Sequence, residues 1–326
     1  MYKLRDWIDI NKINWSFLSQ NSMAIDLLEK NHDKIDWEKL TLNENAIHLL
    51  NKNIDKINSK QQLIWLSQNS CAIILLQKNP DKINWEYLSQ NPMAIELLEK
   101  NQDKIYWSDL SFNSSAIHLL EKNLDKIDWS WLSINKNPSA IYLLEKNLDK
   151  IDWTYLSSNS IAISLLEKNI DKINWTYLSM NKNAIPLLEK NLDKIDWTQL
   201  SENPMAINLL EKNPDKINWG FFCCNTNANI FSILEKNMDK IKDNDWDGLS
   251  LYYMHKNTIY FLEKNQDKID WDLLSGNPNI FELDYSALKE RCCLYKEELI
   301  QVALHPSRIQ KYLDQGISFE DLDNYI

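Results

Sequence analysis

Glycine is almost missing from this chain, with four residues (Gly220, Gly248, Gly276, Gly316) in 326. Such scarcity argues against folds that need glycine at fixed places, such as nucleotide-binding α/β sheets, phosphate-cradling loops or tight-hairpin β proteins. Cysteine is sparse too: Cys223-Cys224 and Cys292-Cys293 are adjacent pairs and Cys71 stands alone. That is neither a disulfide framework nor a metal-ligand spacing, and it points to a reducing compartment. The five His (32, 48, 118, 255, 305) never stand at ligand spacing from a Cys or from one another, so no metal or cofactor site is expected. Positive charge is outnumbered, 36 Lys+Arg against 47 Asp+Glu, for a formal net charge of −11. This disfavours sequence-independent nucleic-acid binding, which needs basic surface against phosphate. No stretch approaches the length of an apolar membrane span, and the opening MYKLRDWIDINKINW holds no apolar leader core. A soluble intracellular protein is expected.

What the chain has instead is a repeat. Asn-x-Asp-Lys-Ile occurs eleven times, from Asn31 to Asn265, and most copies are followed two residues later by Trp. The Trp series runs 15, 37, 85, 107, 129, 153, 175, 197, 219, 246, 271, with Ser59 at the Trp position in the one gap. About twelve units result. A short fixed period means a solenoid whose units are stable only against their neighbours.

Residues 91–113, NPMAIELLEKNQDKIYWSDLSFN, show how one unit is built. Asn91 suits a helix N-cap, and Pro92 suits the first helical position, where its missing N–H costs nothing. Ala94, Ile95, Leu97 and Leu98 then share one helical face, while Glu96, Glu99 and Lys100 face out. Asn101 is expected to end this helix in the left-handed conformation. An inward Ile105 follows, then a second short helix, Trp-x-x-Leu-Ser, usually opened by Asn or Asp; Tyr106 is the exception here. The recurring Lys adjoin Asp or Glu and read as a solvated mixed-charge face. Pro186 requires its helix to begin near Asn183. The rival is a leucine-rich-repeat horseshoe, but its Leu-x-x-Leu-x-Leu strand is missing.

The expectation is therefore an all-α solenoid of about twelve two-helix repeats over residues 1–283. Residues 1–14 read as a degenerate N-terminal cap and residues 284–326 as a helical C-terminal cap. In that tail, FELDYSALKERCCLYKEELIQVAL reads as one long amphipathic helix. His305-Pro306 interrupts it, and a final helical turn opens at 318–321. The period slips at three places, 59–66, 129–153 and 220–246, and insertions in solenoids favour loops on one face.

Tandem LSxNPxAIxLLEKNxDKIxWxx units, closed by a tail with Asn279 to Tyr285, His305 to Ile309, Lys311 to Leu313 and Gly316, resemble a family of repeat proteins widespread in giant nucleocytoplasmic DNA viruses of amoebae and algae. The resemblance covers nearly the whole chain. It implies a viral origin and a fold, with no activity attached. It also places the protein in the host cytoplasm or viral factory, or in the virion.

Nothing in the sequence supports catalysis; Ser286-Ala-Leu-Lys289 matches a hydrolase pattern but lacks every companion motif. The expected role is a monomeric, non-enzymatic scaffold that binds a protein partner. A structural part of the virion or viral factory is the alternative. Specificity would reside where the units differ. Two residues past Trp, the units read Phe17, Lys39, Tyr87, Asp109, Trp131, Tyr155, Tyr177 and Gln199. Trp131, Tyr155 and Tyr177 fall in consecutive units and form an aromatic ladder one helix spacing apart. The other reading is that this slot is half-buried between helices. His118 and Tyr142, in the outward slot of the first helix, extend the patch if both slots face the same way.

Overall fold

The computed structural model describes residues 2–251 and 256–316; His255 and the turn expected at 318–321 lie outside them. Short helices account for nearly all of the regular structure, and the only strands among the described residues are two of three residues each. The chain is an all-α solenoid. It divides into two units, Asp6–Ile280 and a smaller one made of Met1–Arg5 with Phe281–Ile326.

Within Asp6–Ile280, the repeat starting at Trp153 shows why the sequence folds as it does. Asp152 opens the helix Trp153–Ser158, its carboxylate accepting the N–H groups of Thr154 and Tyr155, which satisfies donors a helix start leaves orphaned. Leu156 on this helix and Leu166 on the following helix Ile163–Glu167 are both fully buried. The Ile-Asp-Lys tripeptide Ile170–Lys172 is a 3-10 turn that delivers Ile173 into the core. Pro186 sits in the first turn of Ile185–Glu189, where no helical N–H is lost.

One expectation is corrected. The Asn that follows the Ile163–Glu167 type of helix in each unit is not left-handed: Asn169 has φ −134°, and no described non-glycine residue has positive φ. Its Nδ2 instead donates to the Leu165 carbonyl four residues back, at 2.8 Å. The side-chain amide thus does the work of a left-handed backbone N–H.

At most junctions two polar residues join one unit to the next. Ser157 Oγ donates to Trp153 O at 2.7 Å and accepts the N–H of Asn174, the opening residue of the following unit, at 2.9 Å. Asn181 Nδ2 donates to Ser157 O and Asn159 O of the preceding unit, both at 3.0 Å, while its Oδ1 accepts Asn183 N–H. Equivalent Asn residues (43, 91, 113, 203) form the same buried ladder. The lysines of the Asp-Lys-Ile segments are not simply solvated. Lys34 lies 4.4 Å from the ring centre of Trp15 in the preceding unit, and Lys126 lies 4.4 Å from that of Trp107, cation–π contacts that cover half-buried indoles. Because Trp153 is half-buried, Trp153→Ala is expected to cost about 2–3 kcal/mol, below the range for a fully enclosed indole. Denaturant titration checks the value, and hydrogen exchange should rise most in the adjacent units.

The stack closes on itself. Asn21 Nδ2 donates to Ser275 O and Asn277 O, both at 3.1 Å, and Asn14 N–H donates to Ser275 Oγ at 2.9 Å. Lys12 lies 4.7 Å from the centre of the Trp271 ring. Contacts of the same kinds join consecutive units elsewhere, so the repeat starting at Trp271 precedes the one starting at Trp15 in space. Asp6–Ile280 is a closed ring of twelve Trp-type helices. The twelfth unit draws on both ends of the chain. Trp271–Ser275 and Pro278–Ile280 come from one end. The 3-10 turn Ile10–Lys12 and buried Ile13 come from the other.

The expected N-terminal cap is therefore corrected: residues 6–14 complete a repeat, and the free face of the last repeat is taken by the first. In the smaller unit, β1 (Tyr2–Leu4) pairs antiparallel with β2 (Phe281–Leu283), with Tyr2 opposite Leu283. FEL, read from sequence as helix, is strand. The long helix is Tyr285–Ala303, and Pro306–Asp314 follows with His305 as its N-cap.

The slips in period fall at two places in the repeat, just before a Trp-type helix and just before the helix that follows it. At 59–66 an extra turn lengthens the helix Lys60–Gln68; at 135–137 the link precedes an outer helix, Pro138–Glu145; at 242–245 a 3-10 turn is added. In the last of these units Gly248 is required by close approach, since a Cβ there would stand 2.7 Å from Cys224 Sγ. Burial, aided by the carboxylates of Glu202 and Asp245, pushes the Cys224 thiol up to about 11. Burial drives Cys223 higher still. At pH 8, alkylating reagents are expected to modify exposed Cys71, Cys292 and Cys293 and to spare 223 and 224 until the chain unfolds. Peptide mapping reads the outcome. The sign for stability follows: the unfolded thiols ionise first, so this contribution is lost as pH rises from about 8.5 toward 11.

Candidate interaction surface on the inner wall

On a Trp-type helix the Trp, the Leu three later and the Ser four later point into the core. The residues two and five past Trp therefore project from the opposite side. Successive Trp-type helices pack directly on one another around the ring. Short hydroxyls suffice to bridge them: Ser108 Oγ donates to Asp128 at 2.7 Å and Ser130 Oγ to Asp152 at 3.2 Å. Successive outer helices are bridged by long side chains, His48 to Glu29 at 2.7 Å and Lys168 to Glu145 at 3.6 Å. In a closed ring the layer with the nearer neighbours is the inner one. The Trp-type helices line the inside, and their second and fifth slots form its wall.

On this wall Trp131 and Tyr155 lie with ring centres 6.4 Å apart and planes 9° from parallel, and Tyr155 meets Tyr177 edge-on at 6.5 Å. The separation is shorter than the helix spacing expected from sequence, because neighbouring units converge toward the ring's centre. Trp131 is 41% and Tyr155 38% exposed, whereas Tyr177 is half-buried. The rings thus shield one another and still present open faces.

The ladder is longer than the sequence reading made it. Phe112, five past its Trp, packs edge-on against Trp131 at 5.7 Å, and exposed Met180 occupies the same fifth slot three units on. The apolar residues of that fifth slot, Phe112 and Met180, are legible in the sequence. The place given to Ser59 is also corrected. Counting back from Leu66 and Ser67, Leu63 rather than Ser59 takes the place of the repeated Trp, and Trp65 falls in the wall slot with the Lys39 amine 4.6 Å from its ring. Asp109, on the same wall, accepts from the Gln90 amide.

His118 and Tyr142 do not join this surface. They sit on outer helices, His118 paired with Glu99 at 2.8 Å and Tyr142 beneath the Lys146 amine at 4.0 Å.

Among the described residues no group of His, Cys, Asp or Glu is placed to hold a metal ion, and no helix is long and apolar enough to cross a membrane. No family model, no curated protein and no solved structure matches this chain.

Proposed function

We propose that the ring is a non-enzymatic scaffold that binds a protein segment, helical or extended, on the aromatic stretch of its inner wall. The observation that carries this reading is the unbroken line Phe112–Trp131–Tyr155–Tyr177 over four consecutive units, with exposed ring faces. Aromatic side chains held rigidly by their neighbours bury much apolar area at small entropic cost, which is why they dominate binding hot spots. The formal net charge of −11 favours a protein over a nucleic acid as the occupant. The repeat's resemblance to tandem repeats of giant viruses supports a role in the cytoplasm or viral factory of an infected cell.

Replacing Trp131, Tyr155 and Tyr177 together by Gln tests the reading. Partners captured by the wild-type chain are identified, and their affinity for both proteins is measured beside thermal melting. The expected result is at least about a hundredfold weaker binding with melting unchanged. Retained binding with lowered melting would make the ladder a structural element. Mass spectrometry of purified virus particles separates this role from that of a virion component, in which the chain would be an abundant constituent.

A further inference from the structure

The helix Tyr285–Ala303 is nineteen residues long and lies open along most of its length. Tyr285, Leu288, Cys292, Tyr295, Leu299 and Val302 follow one another in steps of three and four, the spacing of a coiled-coil seam. Every charged residue of the helix stands off that seam. Tyr285 is 74%, Leu299 69% and Val302 60% exposed, a cost in apolar hydration along a continuous stripe that a folded chain seldom leaves uncovered.

We propose that this stripe pairs with the same helix of a second copy, antiparallel, to make a homodimer. The seam matches itself about a two-fold axis between residues 293 and 294. That axis sets Tyr285 against Val302, Leu288 against Leu299 and Cys292 against Tyr295, each layer joining a larger to a smaller or equal side chain. The same register brings Arg291 beside the second copy's Glu298 on one flank. On the other flank Lys289 meets Lys296, so flank charges roughly cancel and the layers carry the pairing. A parallel pair is poorer on both counts. It would stack Tyr on Tyr and Cys on Cys, and it would set Arg291 against Lys296, while the residue facing Lys289 would be Asp284, already engaged as the helix N-cap. The antiparallel arrangement also aligns the helix dipoles favourably. The chain enters each helix at Tyr285, so the two points of entry stay roughly 28 Å apart. This inference is independent of what the inner wall binds.

The test uses the full chain. Sedimentation equilibrium should show a reversible monomer–dimer transition below roughly 10⁻⁴ M. Leu299→Glu places a carboxylate in two of the six layers and should raise the dissociation constant at least about a hundredfold, while the melting of the tryptophan-rich ring is unchanged. A wild-type chain that stays monomeric overturns the proposal, and so does a dimer indifferent to Leu299→Glu. Orientation is read in a chain carrying Cys71→Ser, Cys293→Ser and Tyr295→Cys under mild oxidation. A bridge from Cys292 of one copy to the new thiol at 295 of the other supports the antiparallel pair. A bridge joining the two copies of Cys292 overturns it.

Discussion

Asn181→Asp is expected to destabilise the ring by about 3–5 kcal/mol, although the two side chains have nearly the same shape. Asn181 is 1% exposed, and its amide donates to Ser157 O and Asn159 O across the junction between the seventh and eighth repeats. A carboxylate there removes both donors and sets a buried negative charge against two carbonyl oxygens. Asn181→Ala, which only leaves those groups unpaired, should cost about 2–4 kcal/mol. Asn183, whose amide reaches Ser160 O at an exposed site, is the control, with Asn183→Ala expected to stay within about 0.5 kcal/mol of wild type. Urea titration orders the three variants, and hydrogen exchange should rise first in the seventh and eighth repeats. If Asn181→Asp proves as mild as Asn183→Ala, the buried ladder does not hold the repeats together.

Deleting residues 2–13 is expected to open the ring, with a loss of about 5 kcal/mol or more from the burial of Trp7, Ile8 and Ile13 alone. The deletion removes the turn Ile10–Lys12 that completes the twelfth repeat, the Lys12–Trp271 contact and β1. The arc that remains ends in two apolar faces formerly pressed together, so it should associate as concentration rises and show a larger maximum dimension in solution scattering. Removing residues from 285 onward should leave the ring's melting unchanged, because the hydrogen bonds that close it run from Asn14 and Asn21 to Ser275 and Asn277. A closed particle that survives loss of residues 2–13 would mean that the junction from Asn14 to Asn21 is sufficient by itself.

Most of a single repeat is legible in its residues. Asp152 before Trp153 and the spacing of Leu165 and Leu166 call for two short helices, and the structure has both, the first capped by Asp152 and the second opening at Ala162 with no side-chain cap. The aromatic ladder could be located because it depends only on slot and period. Its extension through Phe112 lies in the second wall slot, five residues past Trp, where the apolar residues recur less regularly. The buried roles of the Leu-Ser serine and of the second asparagine were missed. Both residues also serve as good local helix-end residues, and a local explanation hides a contact made 17, 22 or 24 residues away. His118 and Tyr142 were grouped with the ladder because sequence gives each helix its own outward face, but not which layer of a ring that face belongs to.

By itself the sequence determined the repeat: its length, its helix starts and stops, its apolar stripes and its need for neighbours. These follow from local hydrogen-bonding chemistry and from helical periodicity, both written within a few turns of chain. Closure was decided only by tertiary structure. It depends on how far each repeat turns on the last, about 30° when twelve share a circle, and that angle comes from the difference in spacing between inner and outer layers. Serines bridge the inner junctions where His–Glu and Lys–Glu pairs bridge the outer ones, so the angle is a property of two packed repeats and no single one contains it. Once the circle closes, Ile10–Lys12 becomes part of the twelfth repeat and FEL becomes a strand against Tyr2–Leu4, because closure brings the two ends of the chain into hydrogen-bonding reach.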